Sequence, residues 1–259
     1  MAIEVVWTSY GRPAAEALHA AVTAAKGGEA LAPVTVVVPS NHVGVAARRL
    51  LSSGALGPVA GQGVGLAAVT FVTPYRLAEL LAAPAVAASG RRPVSTPVLA
   101  AAVRAELAEA PGIFGPVRAH PATEAALVAT YRELRDCSDT ALEALAATSG
   151  RAAEVVRLHR AVRGRVAPSW SDEEDLLDAA TELAGGPAAA ALGAVVVHLP
   201  QVISRHAGRL LRALADHVPT SVVAGVTGVP VADAEVRRSL DRLGVTGEPT
   251  GEGDPTPVE

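Results

Sequence analysis

Lysine is almost absent from this chain. Of its 22 basic residues, 21 are arginine and one is Lys26. A phosphate-cradling P-loop needs Gly-Lys-Ser/Thr directly at a helix start. Lys26 instead stands at the far end of the first predicted helix, before Gly27-Gly28, so a standard P-loop ATPase is excluded. Cysteine is equally scarce. The single Cys137 rules out a disulfide framework and a Cys-based zinc site, and it fits a reducing compartment. Aromatics make up only 3% of the residues, so the core has to be built from Ala, Val and Leu. Charged residues are 19% against 50% apolar, and mean hydropathy is +0.32, which excludes disorder for the bulk of the chain. The opening MAIEVVWTSY has neither a basic n-region nor a signal-type apolar run. Two long uncharged runs, Leu50–Tyr75 and Leu183–Val197, are interrupted by Gly and Pro, so neither reads as a membrane span. A cytoplasmic location without a membrane partner is expected.

What is present is organised. At 259 residues the chain has the length of one large domain, or of a core with an inserted subdomain. Residues 1–165 hold 16 basic and 12 acidic side chains, and residues 166–259 hold 6 and 14. The switch falls between a run of arginines (Arg151, Arg157, Arg160, Arg163, Arg165) and Asp172-Glu173-Glu174-Asp175. A pI near 6.0 argues against a stand-alone nucleic-acid binder but leaves room for local basic faces.

Apolar β-branched runs at Ile3–Trp7, Val34–Val38 and Ala67–Val72 predict strands. Each is followed by turn residues and a helix: Ala14–Lys26 behind Pro13, a helix capped by Ser40 or Asn41, and Tyr75–Leu81 behind Thr73-Pro74. After Pro84 the pattern changes. Helices are predicted over Thr96–Glu109, Ala122–Arg135, Thr140–Ala147, Ala152–Arg163 and Asp172–Leu183, the last opened by a Ser171/Glu174 capping box. Strand–helix order returns with Val195–Leu199, Arg205–His217, Ser221–Val226 and Asp233–Leu243. Buried strands alternating with helices predict a parallel sheet with helices on both faces. The expected organisation is a core of residues 1–84 and 190–245, an inserted all-helical subdomain of residues 85–189, and an acidic Gly/Pro tail or linker of residues 246–259.

The order of these segments resembles the first RecA-like domain of superfamily 1 helicases of the UvrD/RecB type. VTVVVPSNHVGVAARRLL (34–51) and VTFVTPYRLAELL (69–81) look like the family's second and third segments. AVVVHLPQVISRHAGRLLRAL (194–214) looks like its Asp-Glu strand and helix, and SVVAGVTG (221–228) like its last strand. The departures fall on the ATPase positions. The phosphate-loop place reads Ser9-Tyr10-Gly11-Arg12-Pro13, without lysine, so Gly11 and Arg12 mark a vestigial loop. The Asp-Glu place reads His198-Leu199, and the Gly-Asp place reads Gly225-Val226. The chain is therefore most similar to the ATPase-dead, helicase-like N-terminal region of AddB/RecC-type subunits. In actinobacteria these resemble long PD-(D/E)XK nuclease-family proteins. The resemblance implies a P-loop NTPase-type sheet with no bound cofactor and no metal. It also implies a nuclease far beyond Glu259, a role in DNA recombination and repair, and contacts with single-stranded DNA, with downstream domains and with a partner helicase subunit.

In that family, loops matching Pro39-Ser40-Asn41 and Thr70–Arg76 lie along single-stranded DNA. Ser40, Asn41, Thr70 and Thr73 are candidates for phosphate hydrogen bonds, Tyr75 for stacking on a base, and Arg76 for charge. The competing reading makes the same side chains plain helix caps. Arg157 and Arg160, on a predicted face with Arg163 opposite Val155, Leu158 and Val162, are a DNA surface, a solvated face or a docking face. Other patterns carry less. Glu16, in the helix's first turn, repels phosphate at the vestigial loop. Gly61-x-Gly63-x-Gly65 precedes a strand, which is the wrong side for a dinucleotide loop. The seven histidines show no metal spacing, and the acids at 172–175 suit a helix N-terminus. Two other functions remain open at this stage: a small α/β enzyme or ligand-binding protein using the cleft at the C-terminal strand ends, and a protein-interaction scaffold without DNA contact.

Overall fold

The computed structural model describes residues 3–60 and 63–245. The expected acidic tail and Gly61 lie outside the described residues. In chain order the elements are β1 (Glu4–Ser9), α1 (Arg12–Lys26), β2 (Val34–Val37), α2 (Asn41–Ser52), β3 (Val69–Val72) and α3 (Pro74–Ala88). Next come β4 (Arg92–Pro93), α4 (Thr96–Glu109), a 3-10 turn (Gly112–Val117), α5 (Pro121–Arg135), α6 (Asp139–Thr148), α7 (Gly150–Val166) and β5 (Trp170–Ser171). The chain continues through α8 (Glu173–Glu182), α9 (Pro187–Ala190), β6 (Ala194–His198), α10 (Arg205–Ala215), β7 (Thr220–Val226) and α11 (Pro230–Arg242). It divides into two compact units, residues 1–82 with 177–259, and residues 83–176.

The first unit is built on a five-stranded sheet of order β1-β7-β6-β2-β3. Every pairing is parallel, with Val6 opposite Val223, Ser221 opposite Val196, and Val196 opposite Val36. This is the RecA-like α/β layer expected from the sequence. β2 (VTVV) and β6 (AVVVH) are rich in valine because both of their faces are covered; all four β2 residues are buried. Leu18 and Val22 of α1 and Ala47 and Leu51 of α2 pack on Val34, Val36, Val196 and Val223. The alternate residues Val37, Val195, Val197, Val222 and Ala224 face the other way and are buried too. Fully burying one such valine or leucine is worth roughly 1.5–3 kcal/mol. The sole lysine is structural. Lys26 is buried, and its Nζ donates to the carbonyls of Ala30 (2.9 Å), Ala32 (2.6 Å) and Ala67 (2.5 Å), tying the end of α1 to the segments that lead into β2 and β3.

The second unit packs α4, α5 and α7 around Leu99, Val103, Leu107, Leu127, Val128, Tyr131, Leu158 and Val162. α6 closes a smaller cluster through Leu134, Leu142 and Val156. Below this core lies an ion cluster. Arg135 is 4% exposed and donates to Asp172 (2.5 and 2.8 Å) and Asp175 (3.0 Å), while Arg91 pairs with Asp175. Burial raises the Asp172 carboxyl, but the Arg135 hydrogen bonds outweigh it and hold the group at about 2.

Several expectations shift. α3 runs through Pro84 to Ala88 instead of ending near Leu81, because one missing N–H leaves the rest of the helical ladder intact. Contacts place the unit boundaries at Ala82/Ala83 and Leu176/Leu177, whereas the sequence put them at residues 84 and 189. Strands β4 and β5, unforeseen, form a two-residue parallel ladder separate from the main sheet. The capping box at α8 is Asp172/Asp175, not Ser171/Glu174. Asp175 N–H donates to Asp172 Oδ1 (3.0 Å), and Asp172 N–H donates to Asp175 Oδ2 (3.2 Å). The helix starts one residue later than expected, which moves both partners by one.

Removing Arg135 takes away the arginine partner of Asp172 and leaves Asp175 with Arg91 alone. Arg135→Ala is expected to cost about 3–5 kcal/mol in urea unfolding at pH 7. The folded-state pKa of Asp172 lies below its ordinary 3.8, so the stability it adds is complete above about pH 4 and is lost as pH falls towards 2. The same variant should therefore lose less between pH 4 and pH 2 than the parent protein. A cost under about 1 kcal/mol contradicts the cluster's role.

Candidate nucleic-acid interface

The C-terminal ends of five parallel strands form one edge of the first unit, where ligands of open α/β sheets bind. At β1, β6 and β7 this edge is closed by side chains. A Cβ added to Gly225 would stand 2.7 Å from Leu199 Cδ2 and 2.8 Å from Tyr10 Cε1, so the tyrosine ring and the leucine lie directly on the glycine backbone. The Tyr10 hydroxyl is raised by burial and by the nearby Asp233 carboxylate, against a lowering hydrogen bond with Gln201. Asp233, 2% exposed, accepts from Thr227 N–H (2.7 Å), Thr227 Oγ1 (2.9 Å) and Gly228 N–H (3.0 Å), which fixes the turn after β7. Leu199 sits at φ 51°, a left-handed conformation that costs a non-glycine residue roughly 1–3 kcal/mol.

Gly11 and Arg12, which the resemblance sets at the phosphate-loop place, stand at the start of α1. Gly11, at φ 83°, makes the turn into α1 that an L side chain resists. Arg12 does not face an anion. It is exposed and pairs with Glu16 at 2.8 Å. α1 starts at Arg12, so Glu16 lies a full turn into the helix, where it neutralises Arg12 instead of occupying the first turn. His198, which the resemblance sets at the Asp-Glu place, is 5% exposed, and burial pushes it down to about 4, leaving a neutral ring. Its Nδ1 has no hydrogen-bond partner among the described residues.

β2 and β3 end differently. They are neighbours, Val37 opposite Val72, and the ladder continues with Val38 N–H donating to Val72 O at 2.8 Å. The two chains thus leave the sheet side by side. Ser40 caps α2 by accepting from Val43 N–H (3.4 Å), and Thr73 caps α3 by accepting from Arg76 N–H (3.3 Å). An accepting hydroxyl keeps its own proton, so each cap still offers one O–H donor. Asn41, Tyr75 and Arg76 are exposed beside them, and Arg76 spends one donor on Glu79 (2.9 Å). Gly44 lets α2 close over the pair: a Cβ there would stand 3.2 Å from Val38 and 3.3 Å from Phe71. Ser40, Asn41, Thr73, Tyr75 and Arg76 are therefore brought together. Thr70 is not. It lies within β3, opposite Thr35, on the face away from Phe71 and α2.

Arg157 and Arg160 belong to the second unit. Arg157 bonds Glu154 (3.1 Å) and the Ala110 carbonyl (2.9 Å), which pins the segment leading into the 3-10 turn. Arg160 is exposed with Glu143 3.9 Å away. The buried stripe of α7 is Val156, Leu158, His159, Val162 and Val166, with Val155 facing the smaller cluster. Burial, and then the charges of Arg135, Arg163 and Arg160, push His159 down to about 4. Tyr10, Gln201 and Asp233 were missed from sequence. Each is ordinary in its own segment, and only the strand order brings them together.

Among the described residues no group of three or more His, Cys, Asp and Glu side chains is placed to hold a metal, and no helix is long and apolar enough to cross a membrane. In comparison with known proteins, no family model and no curated sequence matches this chain.

The His198 ring sets a pH signature. Its folded pKa, about 4, lies below the ordinary 6.5, so the unfolded chain takes up a proton that the folded chain refuses, and stability falls as pH drops from 6.5 to 4. His198→Leu should flatten the dependence of the urea midpoint over that window, leaving the share owed to His159. A profile as steep as the parent's contradicts the buried neutral ring.

Proposed function

We propose that the chain is a non-hydrolysing, helicase-like module that binds single-stranded DNA without sequence preference and serves as a docking scaffold in a DNA end-processing helicase–nuclease. The observation that carries this reading is the pair of loops after β2 and β3. Adjacent parallel strands present Asn41, the two capping hydroxyls, Tyr75 and Arg76 at one end of the sheet. Hydroxyl and amide donors suit phosphate oxygens, and an exposed tyrosine offers a base a stacking partner worth about 1–3 kcal/mol.

The closed half of the edge supports the other part of the reading. Phosphoryl transfer needs a cation at the β/γ-phosphates and carboxylates for Mg²⁺. Here the cation is paired with Glu16, the carboxylate place is a buried neutral histidine, and Tyr10 covers Gly225. The alternative of a small-molecule enzyme in the strand-end cleft draws no support from that half, where tyrosine and leucine occupy the space.

The test is binding of fluorescein-labelled oligo(dT) by anisotropy, with and without ATP and Mg²⁺. Weak, steeply salt-dependent binding that ATP leaves unchanged is expected. Tyr75→Ala with Arg76→Ala should weaken it by about tenfold, the size of one lost stacking contact and one lost charge. Chelator-sensitive ATP turnover, or affinity unchanged in the double variant, contradicts the proposal.

A further inference from the structure

Residues 30–78 contain no aspartate or glutamate. That span covers β2, α2, β3 and the first turn of α3, and its formal charges are Arg48, Arg49 and Arg76, the last paired with Glu79 just beyond it. Within it, α2 turns Gly44, Ala47 and Leu51 inward and exposes Asn41, His42, Val45, Arg48 and Arg49. Of the other exposed arginines of this unit, Arg12 pairs with Glu16 (2.8 Å), Arg209 with Asp178 (3.2 Å) and Arg238 with Glu235 (2.8 Å), whereas Arg212 bonds the Arg242 carbonyl and Arg237 has no ion pair among the described residues. Arg48 and Arg49 have no carboxylate partner among the described residues. An exposed cation costs little unpaired, so the lack of an ion pair alone does not single out Arg48 and Arg49. The unusual feature is an acid-free span wrapped around two adjacent guanidiniums on one exposed helix face.

We infer that the outer face of α2 is a track for a single-stranded nucleic-acid backbone, with Arg48 and Arg49 as its phosphate contacts. The inference rests on the single-strand reading above and extends that site down the side of the sheet. At 1.5 Å per residue, Arg48 and Arg49 lie about 10–12 Å along the helix axis from Asn41. A strand whose phosphate meets the Ser40–Asn41 cap therefore places its next few phosphates over these two side chains. Guanidinium suits the role because its planar fork bonds phosphate bidentately. The absence of any carboxylate along the span removes like-charge repulsion from the path of a polyanion. Val45, 49% exposed between Asn41 and Arg48, keeps the track narrow without competing for hydrogen bonds.

The experiment compares the parent protein, R48A/R49A, R48K/R49K and Y75A/R76A for oligo(dT) binding over a series of salt concentrations. Both arginines are exposed helix positions where alanine is a better helix former, so folding is preserved, and thermal melting checks it. R48A/R49A should lose several-fold in affinity at low salt, and its slope of log affinity against log salt should shrink by about 1.4, the value for two single-strand phosphate contacts. R48K/R49K should keep most of the slope, because it keeps the charges. If the parent binds, Y75A/R76A weakens it and R48A/R49A changes neither affinity nor slope, the track is overturned while the loop site stands. If R48A/R49A weakens binding and Y75A/R76A does not, the track stands and the loop site falls. A parent protein that binds no oligo(dT) overturns both.

Discussion

The pairing of β2 with β6 is the contact on which the first unit depends. Val34–Val37 and Ala194–Val197 lie in register, buried on both faces, although most of the chain separates them in sequence. Thr35 Oγ1 adds a hydrogen bond of 2.9 Å to the Leu192 carbonyl at the same seam. β1 pairs only with β7 and reaches β2 through β7 and β6. Without that seam the N-terminal half has one isolated pair, β2 with β3, which is too little sheet to be stable. The 94 residues of the helical unit are closed off as a loop when the seam forms, an entropy cost that grows only slowly with loop length. The helical unit has a hydrophobic core of its own, around Leu99, Leu107, Val128 and Val162, so its residues lie in a packed unit and not in a slack loop.

The same strand order divides the functional edge in two. At β1, β7 and β6 the loops turn inward and cover their own backbone with Tyr10 and Leu199, and Gly225 is kept without a side chain to allow it. At β2 and β3, on the other side of the seam, the loops stay open and polar. In a nucleotide-binding sheet the bound ligand links the strand ends. Here protein side chains make that link permanently, so the proposed DNA contacts are independent of any nucleotide. The acid-free span lies on the open side of the same division.

Much of this was legible in the sequence. Apolar β-branched runs marked the buried strands, and Pro, Ser and Thr in the right places marked helix starts, as at Pro13, Ser40 and Thr73. What escaped had a common cause. Elements of two residues, such as β4 and β5, are below the length at which any periodicity exists. The Asp172/Asp175 box was displaced because Ser171 is itself a good cap by composition, and only the Arg135 fork selects the aspartates. Thr70 falls inside the strand expected from the sequence, and the ladder turns it to the face away from α2 and the loops. Arg157 reads in the sequence as part of a DNA, solvated or docking face, and the fold places the Ala110 carbonyl against it. Partners distant in sequence decide these cases, and local pattern holds no trace of them.

The most direct measurement is ultraviolet cross-linking of oligo(dT) to the full chain, with the cross-linked peptide identified by mass spectrometry, in the presence and absence of ATP and Mg²⁺. The account predicts a cross-link at Tyr75 of equal yield under both conditions. Cross-links confined to the α7 arginine face, or a Tyr75 cross-link that appears only with nucleotide, would contradict it.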